Sequence, residues 1–229
     1  MKYAIVRLFL LIGSILFFSS HSSAFAEGAA KSFPFSEKRA LDEWEEKMFK
    51  GRVLYTVEVT STDGYLSAFS KNTASGIFYK LRFDPKKEPM VSWKWKVVKF
   101  PGKGGLADES NKWIEKDDYA ARFYVIFPKL AFNLTKTLEY VWAKDIPEGT
   151  IMTSPYFKNI KIIVVESGEK NLNNWVFEER NIYEDFKKAF NRGPWSVGAI
   201  AIMTDTDNTA STAEANYDEI KAGYKNGQE

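Results

Sequence analysis

The chain has no cysteine, and its single histidine, His21, lies close to the start of the 229-residue sequence. The first absence excludes disulfides, thiolate chemistry and attachment to a membrane through a lipidated cysteine. With histidine so restricted, Ser-His-Asp and Cys-His nucleophile systems and ordinary zinc sites are excluded from the rest of the chain. Any catalysis would fall to carboxylates, tyrosine, lysine, arginine, serine or threonine. Long apolar runs are also missing: the run from Leu8 to Phe18 is well short of the ~20 residues that cross a bilayer.

That short run has a purpose of its own. Lys2 and Arg7 precede it, a polar stretch follows, and Ala24-Phe25-Ala26 has the A-x-A form that signal peptidase favours. Residues 1–26 are therefore expected to be a cleaved signal peptide, and the mature protein to be exported, most simply to a bacterial periplasm. No transmembrane segment is expected in the mature chain. Lys2, Arg7 and His21 fall in the leader, so the remainder carries equal numbers of basic and acidic residues. A balanced charge argues against general nucleic-acid binding, which rests on phosphate neutralisation by a basic surface.

From residue 27 to 229 there is no long Pro/Ser linker and no internal repeat, which suggests a single domain. Leu41, Trp44 and Met48 fall at helical spacing, so a short helix or turn is expected within Ser36 to Phe49. Beyond it the period changes to two. Strands are expected at 52–60, 76–83, 90–98, 119–127, 138–143, 160–166, 175–180, 197–204 and near 215–222, many of them closed by polar turn residues such as Ser61-Thr62-Asp63-Gly64. Trp93, Trp95 and Val97 share one face of their strand, with Ser92, Lys94 and Lys96 on the other. Residues 101–117 are Gly-rich and charged and read as a long loop. A helix is expected from Asn181 to Phe190, with Tyr183, Phe186 and Phe190 as its apolar stripe and Asn181 with Glu184 as a capping box. Many short strands with one or two short helices point to an all-β, two-sheet antiparallel sandwich of jelly-roll type, with a lipocalin-like barrel as the alternative.

Several segments occur in a suggestive order: Trp93-Lys94-Trp95, Asp117-Asp118-Tyr119-Ala120-Ala121-Arg122, Tyr140-Val141-Trp142, Glu179-Arg180-Asn181 with Asp185-Phe186, and Ala201-Ile202-Met203-Thr204-Asp205-Thr206-Asp207-Asn208-Thr209. With Ala74-Ser75-Gly76 and Tyr217-Asp218-Glu219-Ile220 they make the chain resemble a family of exported bacterial proteins catalogued as domain of unknown function 3047. The resemblance implies a jelly roll similar to galactose-binding-like domains. It carries over no activity.

The charged residues near strand ends are the candidates for function. On a strand, Asp118 and Arg122 would share a face roughly 13 Å apart at ~3.3 Å per residue, with Ala120 as a shallow floor between them. A ligand oxygen can bridge them there, or both can pair across strands with Glu179 or Arg180. Arg180 suits two-pronged contact with a carboxylate, including a uronic acid, whereas Asp185 can simply pair with Lys188. The cluster at the end of the 197–204 strand is open to three readings. Asp205 and Asp207, with Asp218, can supply oxygens to a structural Ca²⁺; Asp205, Asp207 and Asn208 can bind vicinal sugar hydroxyls; or the short side chains can pin the loop as Asx-turns. Of the seven tryptophans, Trp113 in the charged loop is the expected accessible platform, with Trp175 and Trp195 near turns.

These residues lead to an expected non-catalytic binding module for a glycan or another cell-envelope ligand, contacted through Asp118, Arg122, Arg180, Asp205, Asp207, Asn208 and Trp113. The alternatives are a polysaccharide-active enzyme and a structural periplasmic protein. A glycosidase would use Asp118 with Asp205; a lyase would use Tyr119 or a lysine as base, with Arg122 or Arg180 neutralising a uronate.

Overall fold

The computed structural model describes residues 30–60, 63–102 and 117–227. The expected leader and Trp113 lie outside the described residues. The described chain forms two sheets. The first contains β1 (Lys31–Phe33), β3 (Leu54–Val59), β4 (Gly64–Lys71), β6 (Met90–Lys99), β11 (Val176–Asn181) and β13 (Thr212–Tyr224). Its order is β11-β6-β13-β4-β3, with β1 also on β13. The second contains β2 (Glu45–Lys50), β5 (Ala74–Phe83), β7 (Ala121–Phe127), β8 (Lys136–Ala143), β9 (Ile151–Thr153), β10 (Ile160–Ser167) and β12 (Val197–Asp205), in the order β2-β5-β12-β7-β8-β10-β9. The chain passes repeatedly between the sheets, and the result is a jelly-roll sandwich rather than a closed barrel. All pairings are antiparallel except β8 with β10, which run parallel.

Alternation of apolar and polar residues explains how the sheets face each other. Trp93, Trp95 and Val97 point inward from β6 and are fully buried. Across the core, Trp93 stacks on Phe123 of β7 at 4.3 Å and meets Tyr140 of β8 at 5.3 Å. Trp95 meets Trp142 at 6.2 Å. Aromatic contacts of this kind contribute about 0.5–1.5 kcal/mol each beyond simple burial, so three strands of two sheets are fixed together along one seam.

Tyr217 of β13 makes a second, polar tie. Its hydroxyl donates to the Met203 carbonyl at 2.9 Å and accepts the Arg122 backbone N–H at 3.2 Å. Thr204 stands 3.0 Å from the same hydroxyl and donates to the Ala120 carbonyl at 2.7 Å. The first sheet thus holds the backbones of β7 and β12 from behind.

The one α-helix among the described residues, α1 (Ile182–Phe190), begins where the capping pattern places it. Asn181 Oδ1 accepts the Glu184 N–H at 3.1 Å, a cap worth about 1 kcal/mol. Ile182, Asp185 and Phe186 are its buried residues, and Phe186 packs on Phe127, Phe190 and Trp195. A 3-10 turn covers Phe132–Leu134.

Two expectations differ. The segment 36–49 holds no helix: turns at 37–43 lead into β2, which pairs with β5 at the sheet edge. Trp44 is buried against Phe33, Phe35 and Tyr79, while Met48 is exposed. Pairing with a neighbouring strand outweighs the weak helical spacing there. Asp185 does not pair with Lys188 but is buried and gripped by Arg180.

Candidate functional site

The outward face of the second sheet carries Phe78, Tyr124, Ala201 and Met203, and the same alternation turns Arg122, Glu139 and Asp205 to that side. In register, Arg122 sits opposite Met203 of β12 and Val141 of β8, and Tyr124 opposite Ala201 and Glu139. Arg122 on the middle strand is therefore flanked by one acid from each neighbouring strand.

Four of its five N–H groups are taken by that frame. Nε donates to Asp205 Oδ1 at 2.8 Å and Nη2 to Oδ2 at 2.6 Å, a two-pronged clamp. Nη1 donates to Glu139 Oε1 at 2.6 Å, and Nη2 also reaches the Asp117 carbonyl. Tyr124 donates its hydroxyl to the same Glu139 oxygen at 3.2 Å. The ring of Tyr119 lies 4.7 Å from Arg122 Cζ. Arg122, Glu139 and Asp205 are each at most 3% exposed. The neighbouring carboxylates keep Arg122 firmly charged against the cost of burial. Burial pushes the Asp205 carboxyl upward while Arg122 pulls it down.

A second cluster holds the loop after β12. Asp118 Oδ1 accepts the Asn208 N–H at 3.2 Å and its side-chain amide at 3.1 Å. Oδ2 accepts the Thr209 N–H at 2.7 Å and its hydroxyl at 2.6 Å. The pin that sequence reasoning sought in Asp205 or Asp207 comes instead from Asp118, reaching across from the start of β7. Tyr156 then donates to Asn208 Oδ1 at 2.9 Å, and Lys50 donates to the Asp207 carbonyl at 2.9 Å.

These two clusters form the floor and one wall of a cavity of about 300 Å³. Phe49, Tyr124, Tyr156 and Met203 supply apolar and aromatic surface, while Asp117 and Asp207 supply acceptors. Among the described residues neither carboxyl has a hydrogen bond from another residue; Asp117 comes closest, with Oδ1 3.8 Å from Arg122 Nη1. Burial, reinforced by Glu139, Asp118 and Asp207, outweighs the pull of Arg122 and raises the Asp117 carboxyl to about 8. Burial and Asp118 also raise Asp207, opposed by Lys50 and Arg122. One guanidinium serves Asp205, Glu139 and Asp117 together, so the cavity has more carboxyls than cationic partners.

Of the residues singled out in the sequence, Asp205, Asp207, Asn208, Asp118 and Arg122 come together here. Asp118 and Arg122 are not a pair on one strand: β7 begins at Ala121, and each has its own partners. Arg122 has no fork left for a ligand. Arg180 is elsewhere. It clamps Asp185 at 2.9 and 2.7 Å, and Tyr140 donates to the same carboxylate at 2.9 Å.

The expected metal set also separates. Asp218 lies on β13 of the other sheet, opposite Lys94, and never joins Asp205 and Asp207. Asp118, Asp205 and Asp207 do bring carboxylate oxygens within 4.8 Å of one another. They fit a cation poorly, because Asp118 already accepts four hydrogen bonds and Asp205 faces a guanidinium. For the same reason Asp118 and Asp205 are poor partners for acid–base work.

Sequence reasoning missed Glu139, Tyr124, Tyr156 and Phe49. Glu139 carried a usable signal, being a lone acid inside the apolar run Leu138 to Trp142. Tyr156 comes from a loop and gave none. Trp175 is 40% exposed, with Lys96 Nζ 5.0 Å from its ring, but it belongs to the outer face of the first sheet.

No curated protein matches the chain in sequence. A family model described as "Protein of unknown function (DUF3047)" matches residues 42–221. Among solved structures, the chain is similar to the family 11 carbohydrate-binding module of the cellulase Lic26A-Cel5E of Clostridium thermocellum, at 11% identity over 89% of this chain and 100% of that one, with a TM-score of 0.46. It is also similar to a variant of the Cel12A cellulase of Rhodothermus marinus, at 9% identity over 84% and 98% of the two chains, with a TM-score of 0.45. A third is the xyloglucanase domain of NopAA from Sinorhizobium fredii, at 9% identity, 86% and 97% coverage and a TM-score of 0.45. Nothing about ligand or activity follows from likenesses this distant.

Proposed function

This chain belongs to the DUF3047 family of proteins of unknown function, and from that premise we propose that it is an exported, non-catalytic module that binds a hydroxyl-rich ligand, a glycan of the cell envelope, in the cavity above Arg122. The observation that carries this reading is the excess of acceptors. Asp117 and Asp207 face the cavity without hydrogen bonds to their carboxyls from other described residues, beside the aromatic surfaces of Phe49, Tyr124 and Tyr156. Sugar hydroxyls supply the missing donors, and the apolar faces of pyranose rings suit aromatic walls. A uronate would find Arg122 already claimed by Asp205 and Glu139, with Lys50 as the remaining cation of the lining. Export is supported by the A-x-A ending of residues 24–26 and is tested by sequencing the mature N-terminus, which should begin at Glu27. Within the described residues no helix is long and apolar enough to cross a membrane.

Isothermal titration calorimetry with neutral, amino-sugar and uronate oligosaccharides tests the ligand class. A neutral or amino-sugar glycan should bind. Asp207→Ala should weaken binding at least tenfold while the melting temperature holds, since a hydrogen bond to a charged group contributes about 1.5–3 kcal/mol. Unchanged affinity in the folded variant would remove Asp207 from the site.

One observation favours a second reading, a glycosidase. Asp117 is held protonated at neutral pH, as a general acid must be, and Asp207 would then be the ionised partner. Turnover of a glycan, abolished by Asp117→Asn, would establish it. A broad panel with no product would leave binding alone.

A further inference from the structure

A second cavity, of about 270 Å³, lies on the same side of the sheet as the first, and Asp117 lines both. The segment from the end of β9 divides its side chains between them: Ser154 and Tyr156 line the first, Thr153 and Pro155 the second. On β10, likewise, Ile160 lines the first and Ile162 the second. Each cavity alone is at the low end of the about 300–1,000 Å³ usual for small-molecule sites, and together they fall well inside that range.

Their linings differ in chemistry. The second is dominated by Ile146, Pro147, Met152, Pro155 and Ile162, with the hydroxyls of Thr150 and Thr153 as its main neutral polar groups. Tyr119, whose ring lies 4.7 Å from the Arg122 Cζ, lines it as well. The cavity's other polar groups are Asp117, Asp145 and Tyr119, and against so much apolar surface a fully hydroxylated sugar ring would leave some of its hydroxyls facing carbon. A ring bearing an acetamido group would place its methyl against the isoleucine and proline surface and its amide near the threonines. Between the two cavities stands Asp117, 7% exposed, with no hydrogen bond to its carboxyl from another described residue.

We propose that the two cavities are adjacent subsites for one glycan of at least two residues, the second subsite taking an N-acetylated sugar, with the Asp117 carboxyl hydrogen-bonded at the junction between them. The inference rests on the sugar-binding reading of the first cavity. It adds the length of the ligand and the substituent that its second unit carries. The proton that burial keeps on Asp117 lets it donate to a linking oxygen, an atom that can only accept.

The test is calorimetry, supported by ligand-observed NMR, with N-acetylglucosamine, N,N′-diacetylchitobiose and cellobiose on the full mature chain and two variants. Thr153→Trp fills the second cavity from an exposed position, and Asp207→Ala alters only the first. The acetylated disaccharide should bind at least tenfold more tightly than either the monosaccharide or cellobiose. Thr153→Trp should erase that gain, bringing the acetylated disaccharide down to the affinity of cellobiose, whereas Asp207→Ala should weaken both disaccharides. Equal affinity for one and two acetylated residues, or a gain that survives Thr153→Trp, overturns the two-subsite arrangement and leaves the first cavity standing. Absence of binding by every sugar, wild type included, overturns the underlying reading as well.

Discussion

Arg122 holds Asp205 with both prongs of its guanidinium, Nε 2.8 Å from Oδ1 and Nη2 2.6 Å from Oδ2, across the adjacent strands β7 and β12. Both side chains are almost wholly buried. A buried ion pair contributes little compared with an apolar pair of the same shape, but removing one partner strands the other charge out of water. Arg122→Ala should therefore cost about 3–5 kcal/mol, because it leaves Asp205 and Glu139 side by side with no counter-charge. Urea denaturation measures this directly; a loss below about 1 kcal/mol would mean that water enters and solvates the acids.

Asp118 is not one of the described residues that line the first cavity. Its four accepted hydrogen bonds fix Asn208 and Thr209 and so set the position of Asp207. Asp118→Ala leaves the backbone N–H groups of Asn208 and Thr209 without this acceptor, at about 1–3 kcal/mol for each group that stays dry. The expected outcome is a protein that is both less stable and weaker in binding. If binding falls with no change in melting temperature, Asp118 touches the ligand itself.

Most strands with one buried face could be read in the sequence, although β4, whose alternate residues are buried, was not among those expected. Trp93 and Trp95 alternate with lysines, and the run from Val197 into Asp205 ends where its strand ends. The edge strands of the second sheet could not be read. β2 has the sequence EEKMFK and is held by pairing with β5 rather than by its own pattern, and β9 is three residues long. The parallel pairing of β8 with β10 likewise has no local cue. For the site, Asp205 and Arg122 could be recognised as charges set into apolar strands. That Arg122 would be consumed by Asp205 and Glu139, and that Arg180 would be taken by Asp185, depends on which strands become neighbours. Asp218 was grouped with Asp205 by chemistry alone, and the sandwich puts them on different sheets.

Calcium provides a further check on the acid cluster. A cation at Asp118, Asp205 and Asp207 would have to displace four hydrogen bonds at Asp118 and sit against the Arg122 charge. Addition of millimolar Ca²⁺, or of EDTA, should leave the melting temperature unchanged. A ligand present at a hundred times its dissociation constant would stabilise the chain by about 2.7 kcal/mol, which a thermal scan resolves easily. A shift of that size would return the cluster to the metal reading.

Asp117 makes stability depend on pH in a direction opposite to that of an ordinary surface carboxylate. Its carboxyl loses its proton near 3.8 in the unfolded chain and near 8 in the folded one. Between those values the folded state binds more protons, so stability falls as pH rises. The favourable contribution is complete below the lower value and is lost progressively as the pH climbs through the upper one. Glu178, raised to about 8 mainly by burial and then by Glu166, acts in the same sense, so the wild-type slope alone does not identify the group. Asp117→Asn should remove part of the decline between pH 5 and pH 9, and Glu178→Gln should remove a separate part. Chemical denaturation at four or five pH values, in wild type and both variants, resolves the two. A wild-type slope that Asp117→Asn leaves untouched would mean that Asp117 is ionised in the folded chain, and with it would go the donor that the junction between the two cavities requires.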